Sequence, residues 1–255
     1  MASITSQQNP LIKLLRSLDS KKARVESGLF CAAGLNVLAR ARALGWVPEH
    51  LLYCDEERPV VLAHWGKPES VSARLMESLS GQPNPPPAFG VFKQRWSPLP
   101  APDGQAGKLW LALEAIRDPG NLGTIIRTAE AAGASGIILV GDACDPYGQD
   151  CVRATMGSIF AMPLAKASAN EFLKLCDSWP GDIIGTAMAS ETDFRRNYHA
   201  PQLLVMGNEG AGLTPAVLAA CTQQVRIPMA AGPESLNVAI ATALMLYEVR
   251  RGELR

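Results

Sequence analysis

The chain has no apolar run long enough to cross a bilayer, and its first residues, MASITSQQNPLIK, hold no apolar stretch of the signal-peptide kind. A soluble, cytoplasmic protein is the expectation. Metal and disulfide signals are scarce as well. The six cysteines, Cys31, Cys54, Cys144, Cys151, Cys176 and Cys221, show no CxxC spacing, and His50, His64 and His199 do not cluster with them. This argues against a disulfide framework or a zinc site and for reduced, buried thiols. Cys144 and Cys151 flank Tyr147 and Asp150, which keeps one redox alternative open. Net charge is missing too: 24 basic residues balance 24 acidic ones, so any nucleic-acid affinity must come from local basic patches.

What is present is an alternation of apolar strands and helical stretches. Residues 9–26 read as one basic helix. Leu11, Leu14, Leu15 and Leu18 form its packed side, and Lys13, Arg16, Lys21, Lys22 and Arg24 face water. Lys13, Lys21, Lys22 and Arg24 are candidate RNA contacts, against the plainer reading of a solvated helix face. Strands are expected at 29–33, 50–54, 60–63 and 89–93, with helices at 35–44 and 71–79, which makes a small α/β domain over residues 1–97. The Pro- and Gly-dense stretch at 98–107 reads as a linker.

Beyond Lys108 the rhythm is regular. Strands are expected at 109–113, 136–140, 160–164, 183–187, 203–206 and 225–227, and helices at 121–132, 169–176, 215–220 and 236–250. That pattern implies a mostly parallel sheet covered on both faces, with ligands at the carboxyl ends of its strands.

Four motifs stand out along this half. In DPGNLGTIIR, Asn121 is a candidate helix N-cap, Leu122, Ile125, Ile126 and Ala129 form the buried stripe, and Arg127 lies on another face. RATMGS offers Arg153 beside small residues, suited either to backbone packing or to a phosphate contact. LLVMGNEGAGL breaks from strand into a glycine-rich loop that lets main chain approach a ligand, with Asn208 and Glu209 as its polar groups. After QVRIPM, ESLN stands at the mouth of the last helix, where Ser235 can cap free amides.

Asparagine-arginine, then glycine-asparagine-glutamate, then isoleucine-proline-methionine, then serine-leucine-asparagine, each at a strand end, is an order that resembles the SpoU or TrmH family of the SPOUT RNA methyltransferases. The likeness covers 108–255, and ITSQQNPLIKLL, GLFCAAGLNVLARA and AFGVFKQ resemble the family's substrate-binding domain. CAAG stands at Cys31 to Gly34, where many relatives carry a glutamate before the glycine. The resemblance implies an α/β domain with a mostly parallel sheet and a C-terminal trefoil knot, preceded by a small α/β RNA-binding domain. It also implies a homodimer, and S-adenosylmethionine held in the knot by Gly207, Ile227 and Leu236, with Thr186, Ala187, Met206 and Met229 nearby. DPGNLG does not fit the GxGxxG fingerprint of a Rossmann-type binder, which agrees with such a site.

The implied reaction is methyl transfer to a ribose 2′-hydroxyl of RNA, ribosomal RNA ahead of transfer RNA. Arg127, Asn121, Glu209, Ser235 and Asn237 would form the catalytic set and Arg153 a second phosphate contact. Arg127 is either a general base or, physically easier for a group that loses its proton only above roughly pH 12, a phosphate clamp. A catalytically silent RNA-binding or ribosome-assembly protein of the same fold is one alternative, and a methyltransferase of the same architecture acting on a base or a protein is another.

Overall fold

The computed structural model describes residues 3–54, 59–62, 65, 67–81, 84–101, 108–230 and 235–254. The expectations for Ala63, His64, Glu234 and most of the 98–107 linker lie outside them. The chain divides into two compact units, Met1–Gln94 with Asp145–Ala161, and Arg95–Cys144 with Met162–Arg255.

In the first unit, Asn9 caps α1 (Pro10–Ser17) by accepting from the Leu11 amide, with proline at the first helical position. The expected single helix breaks after Leu18, and α2 (Lys21–Ser27) starts anew from Ser20, whose backbone is extended. An Asp-Ser pair favours such a break, since both side chains compete with the helix for backbone groups. Ile12, with Leu15 and Leu18, is the buried face, while Leu11 and Leu14 are half-buried.

The sheet runs β1 (Leu29–Ala33), β4 (Ala88–Lys93), β2 (His50–Tyr53), β3 (Glu69–Ser70), with α3 (Leu35–Ala43) and α4 (Ala73–Ser80) beside it. Val60–Leu62 is a 3-10 turn rather than the start of a strand, and the two-residue β3 pairs in parallel with β2.

Arg24 corrects the expectation of a solvent-facing residue. It is 6 % exposed, and its Nη1 donates to the carbonyls of Leu18 (2.7 Å) and Asp19 (2.9 Å) while Nε meets Asp145 at 2.8 Å. Removing one partner of a buried pair strands the other. Arg24→Ala is therefore expected to cost about 3 kcal/mol, read as a lowered urea midpoint; a midpoint equal to wild type would refute the structural role.

In the second unit, β5 (Leu109–Glu114) is buried throughout and leads into α5 (Pro119–Ala131), followed by β6 (Gly136–Val140). The chain then contributes α6 (Gln149–Ala154) and a 3-10 turn at Ser158–Phe160 to the first unit. There Phe160 meets Phe92 and Trp46 (centroids 4.9 and 5.1 Å apart), Tyr147 meets Phe30 at 4.7 Å, and Trp46 Nε1 donates to the Phe160 carbonyl at 2.8 Å. This aromatic cluster absorbs Phe160, so the strand expected at 160–164 is displaced to β7 (Leu164–Ala167).

Next come α7 (Ala169–Asp177), β8 (Ile183–Thr186), β9 (Gln202–Met206), α8 (Pro215–Ala220), β10 (Gln223–Val225) and α9 (Val238–Val249). The sheet order is β10-β8-β9-β5-β6-β7, with every described pairing parallel. Strand order reverses between β5 and β9, so their carboxyl ends open a crevice of the kind that takes ligands in such sheets.

None of the six cysteines is in a disulfide, and burial pushes the thiols of Cys176 and Cys221 up to about 11 and about 12. Among the described residues no group of His, Cys, Asp or Glu could hold a metal ion, and no helix is long and apolar enough to cross a membrane.

Candidate active site

The carboxyl ends of β5 and β9 lie side by side, and both chains turn sharply there. After β5, Ala115 adopts φ 52°, a left-handed conformation costing about 1–2 kcal/mol in a non-glycine residue. Its carbonyl accepts from Asn208 Nδ2 at 2.9 Å. After β9, the loop closes on itself: Asn208 and Gly212 exchange backbone hydrogen bonds of 3.1 and 3.0 Å, and Asn208 Oδ1 accepts from the amides of Gly210 and Ala211. Buried Glu114 secures the far end, accepting from Thr214 N and Oγ1, both at 2.8 Å. Both ends of the loop are thus tied to the end of β5.

The cap of α5 differs from expectation. Asp118 holds that place, accepting from the Asn121 amide at 2.6 Å, and the Asn121 side chain is released for other partners. Its Nδ2 reaches Glu209 Oε1 at 3.3 Å, and its Oδ1 receives Asn237 Nδ2 at 2.9 Å. Asn237, not Ser235, caps α9, accepting from Ala239 N and Ile240 N.

Chemistry fixes the polarity of this chain. A carboxylate only accepts, so Asn121 must turn its amino group to Glu209, leaving its oxygen for Asn237, whose own oxygen faces the α9 amides. Glu209 also accepts from the amide of Asp118 and from Asn208 Nδ2 (3.4 and 3.2 Å). Arg127 stands exposed on α5, and among the described residues no ion pair joins it to Glu209.

Beside the loop lies a cleft of about 580 Å³, and Gly207, Ile227, Leu236, Ala187, Met206 and Met229 all line it, as do Thr186 and Ser235. Its walls mix apolar residues with the loop residues 207–212. Of the remaining candidates, Lys13, Lys21, Lys22 and Arg153 are exposed on the first unit, and Arg153 pairs with Asp150 at 2.6 Å. Sequence reasoning missed Glu114 and Asp118. Asp-Pro-Gly before a helix was a readable cap signal, and a lone carboxylate ending an apolar strand pointed at the strand's functional end.

Residues 108–247 match the SpoU rRNA Methylase family, and residues 9–90 match an MRM3-like substrate binding domain. An uncharacterized tRNA/rRNA methyltransferase of Synechocystis sp. is 36% identical, covering 98% of this chain and 94% of its own length. The 23S rRNA (uridine(2479)-2′-O)-methyltransferase of Streptomyces viridochromogenes is 31% identical, covering 97% of this chain and 91% of its own. The AdoMet-bound crystal structure of an rRNA methyltransferase from Sinorhizobium meliloti superposes with a TM-score of 0.89 at 40% identity, covering 100% of this chain and 99% of that one. With the family model spanning more than half of its residues, this chain belongs to the SpoU rRNA methylase family.

Proposed function

We propose that the protein transfers a methyl group from S-adenosylmethionine to a ribose 2′-hydroxyl of RNA, ribosomal RNA ahead of transfer RNA. The observation that carries this reading is the chain Asn237–Asn121–Glu209, which joins three distant motifs beside the cleft. The cleft fits the cofactor: its volume lies in the range of small-ligand sites, about 300–1,000 Å³, and a Cβ on Gly207 would collide with the loop that forms one wall. Main chain at Gly207, Ile227 and Leu236 would hold it, with Ala187, Met206 and Met229 packed around. When bound, S-adenosylmethionine supplies an electrophilic methyl on a sulfonium whose charge vanishes as the methyl leaves.

The nucleophile is the harder half of the reaction, because a ribose hydroxyl must shed its proton to attack. Glu209 already accepts from three donors, so its part is to hold the loop against α5. Arg127 clamps the RNA phosphate beside the reacting ribose and stabilises the alkoxide as it forms. Asn121 and Asn237 orient the ribose, and Ser235, on the cleft wall, fixes the loop before α9.

The unit of residues 95–144 and 162–255 is the catalytic domain, knotted as a trefoil at its C-terminal part; 98–107 is a linker, and the unit of residues 1–94, which α6 and its 145–161 segment complete against the expected contiguous boundary, is the RNA-binding domain, with Lys13, Lys21, Lys22 and Arg153 as phosphate contacts. The protein acts in the cytoplasm as a homodimer. Supporting the dimer, Ile240, Leu244 and Tyr247 form an exposed apolar stripe on α9 (54%, 41% and 50% exposed), which water alone would not favour.

Incubating the protein with ribosomal RNA and methyl-labelled cofactor, then digesting to nucleosides, tests the reaction. Label in a 2′-O-methyl nucleoside is expected. Label in a base or in protein would contradict it, and RNA binding without any transfer would mark a silent family member.

A second prediction concerns polarity. Asn121→Asp removes the donor to Glu209 and sets two carboxylates about 3.3 Å apart, which raises the pKa of one of them. Activity is expected to be lost at neutral pH and to return in part as pH falls and the pair takes up a proton; a pH profile parallel to wild type would refute the wired geometry.

A further inference from the structure

A second cavity, of about 270 Å³, opens in the first unit. Its floor is apolar, built by Cys31 and Phe89 of the sheet and by Val152 of α6, all at most 3 % exposed. Polar groups gather at its rim: the exposed amide of Asn36 from α3, and Arg153 from α6. Arg153 gives one Nη2 bond to Asp150, and its side chain remains 56% exposed. Leu35, Asn36 and Val37, the first residues of α3, complete one wall, and among the described residues their amides meet no backbone acceptor.

An apolar slot edged by one amide side chain, one guanidinium and open backbone N–H groups has a specific complement. The slot suits the face of a flat, neutral ring, Asn36 can exchange paired hydrogen bonds with that ring's edge, and the amides and Arg153 attract an anion attached to it. A nucleotide unstacked from its strand combines all three, and sequence-specific RNA recognition targets such splayed bases.

We infer that this cavity receives one unstacked nucleotide of the RNA substrate, base inward and phosphate against the start of α3 and Arg153. The inference rests on the proposed RNA substrate and deepens it, by assigning recognition to a pocket rather than to the basic face of α1 and α2 alone. It also accounts for the RATMGS segment, since α6 supplies Val152 to the floor and Arg153 to the rim.

The test is equilibrium binding of fluorescein-labelled fragments of bacterial 23S rRNA to the full chain, read by anisotropy without any methyl transfer. Ala33→Phe, which grows a ring into the cavity, and Arg153→Ala are each expected to weaken RNA binding by on the order of tenfold, the scale of one lost stacked base. S-adenosylmethionine affinity should stay at its wild-type value. Since Ala33 ends β1, thermal melts accompany both variants, and the exposed Arg153 keeps the test valid if Ala33→Phe unfolds. RNA affinity within about twofold of wild type in folded variants, or no binding of any fragment by wild type, would overturn the pocket. RNA binding lost in the variants, with no methyl transfer by wild type, would refute the proposed reaction alone.

Discussion

Alanine in place of Gly207 is expected to lower S-adenosylmethionine affinity by about a hundredfold, the equivalent of overpacking strain of about 1–3 kcal/mol. An added Cβ would lie 2.2 Å from the Gly212 carbonyl carbon and 2.4 Å from both its oxygen and Leu213 N. Those atoms are main chain, locked by the Asn208–Gly212 pairing and by the Glu114–Thr214 contacts, so none can swing aside. The loop must open, and with it the wall of the cleft. The sheet core is untouched, so the melting temperature should fall far less than the affinity. Gly210→Ala is the matched control, because a Cβ there meets only Asn208 Oδ1, at 3.7 Å. Calorimetric titration decides: equal affinity for both variants would show that close main-chain approach is not what builds the site.

The second large effect concerns Arg127. Arg127→Ala should reduce methyl transfer by about a thousandfold, at the upper end for loss of one group that stabilises developing charge, while cofactor affinity stays within about twofold of wild type. The residue stands on the exposed side of α5, apart from the residues lining the cleft, which is why the two readouts separate. Lost cofactor affinity would contradict its placement on the RNA side. Arg127→Lys separates clamp from base. A planar fork grips phosphate in a way a point charge does not, so a clamp loses most of its activity with no new pH dependence. A base acts deprotonated, so the lower lysine pKa would instead shift the rising limb of the rate profile to lower pH.

Much of the second unit was legible because its strands are buried on both faces and leave continuous apolar runs; β6 and α8 begin and end where periodicity puts them. The cleft was legible for another reason. Its wall is a glycine-rich loop at a strand end, and the seven residues carried over by resemblance all line it. The caps were misread by a few residues each. Asn121 and Ser235 can cap as well as Asp118 and Asn237, and local propensity does not choose among Ser, Asn and Asp. The choice is made by Glu209, a partner distant in sequence that draws the Asn121 side chain away. Arg24 failed for a similar reason. Its charge pattern reads as solvent-facing, yet its carboxylate partner, Asp145, stands 121 positions later. The strand expected at 160–164 was drawn from an apolar run whose first residue is spent on the aromatic cluster.

That cluster also sets an order of events in synthesis. Phe30, Trp46 and Phe92 leave the ribosome well before Tyr147 and Phe160, and between them come the whole of β5, α5 and β6. Domains fold as units, N-terminal first, when each is complete on its own. Here the earlier-made unit is completed by a later piece of chain. Its nascent form must wait, with an aromatic face uncovered, while the first strands of its neighbour are being made. Exposed apolar surface of that kind is what chaperones bind. The same interleaving bears on cutting the gene: a fragment ending at Gln94 lacks the ring contacts that Tyr147 and Phe160 supply, and one starting at Lys108 carries those two rings with nothing to cover them.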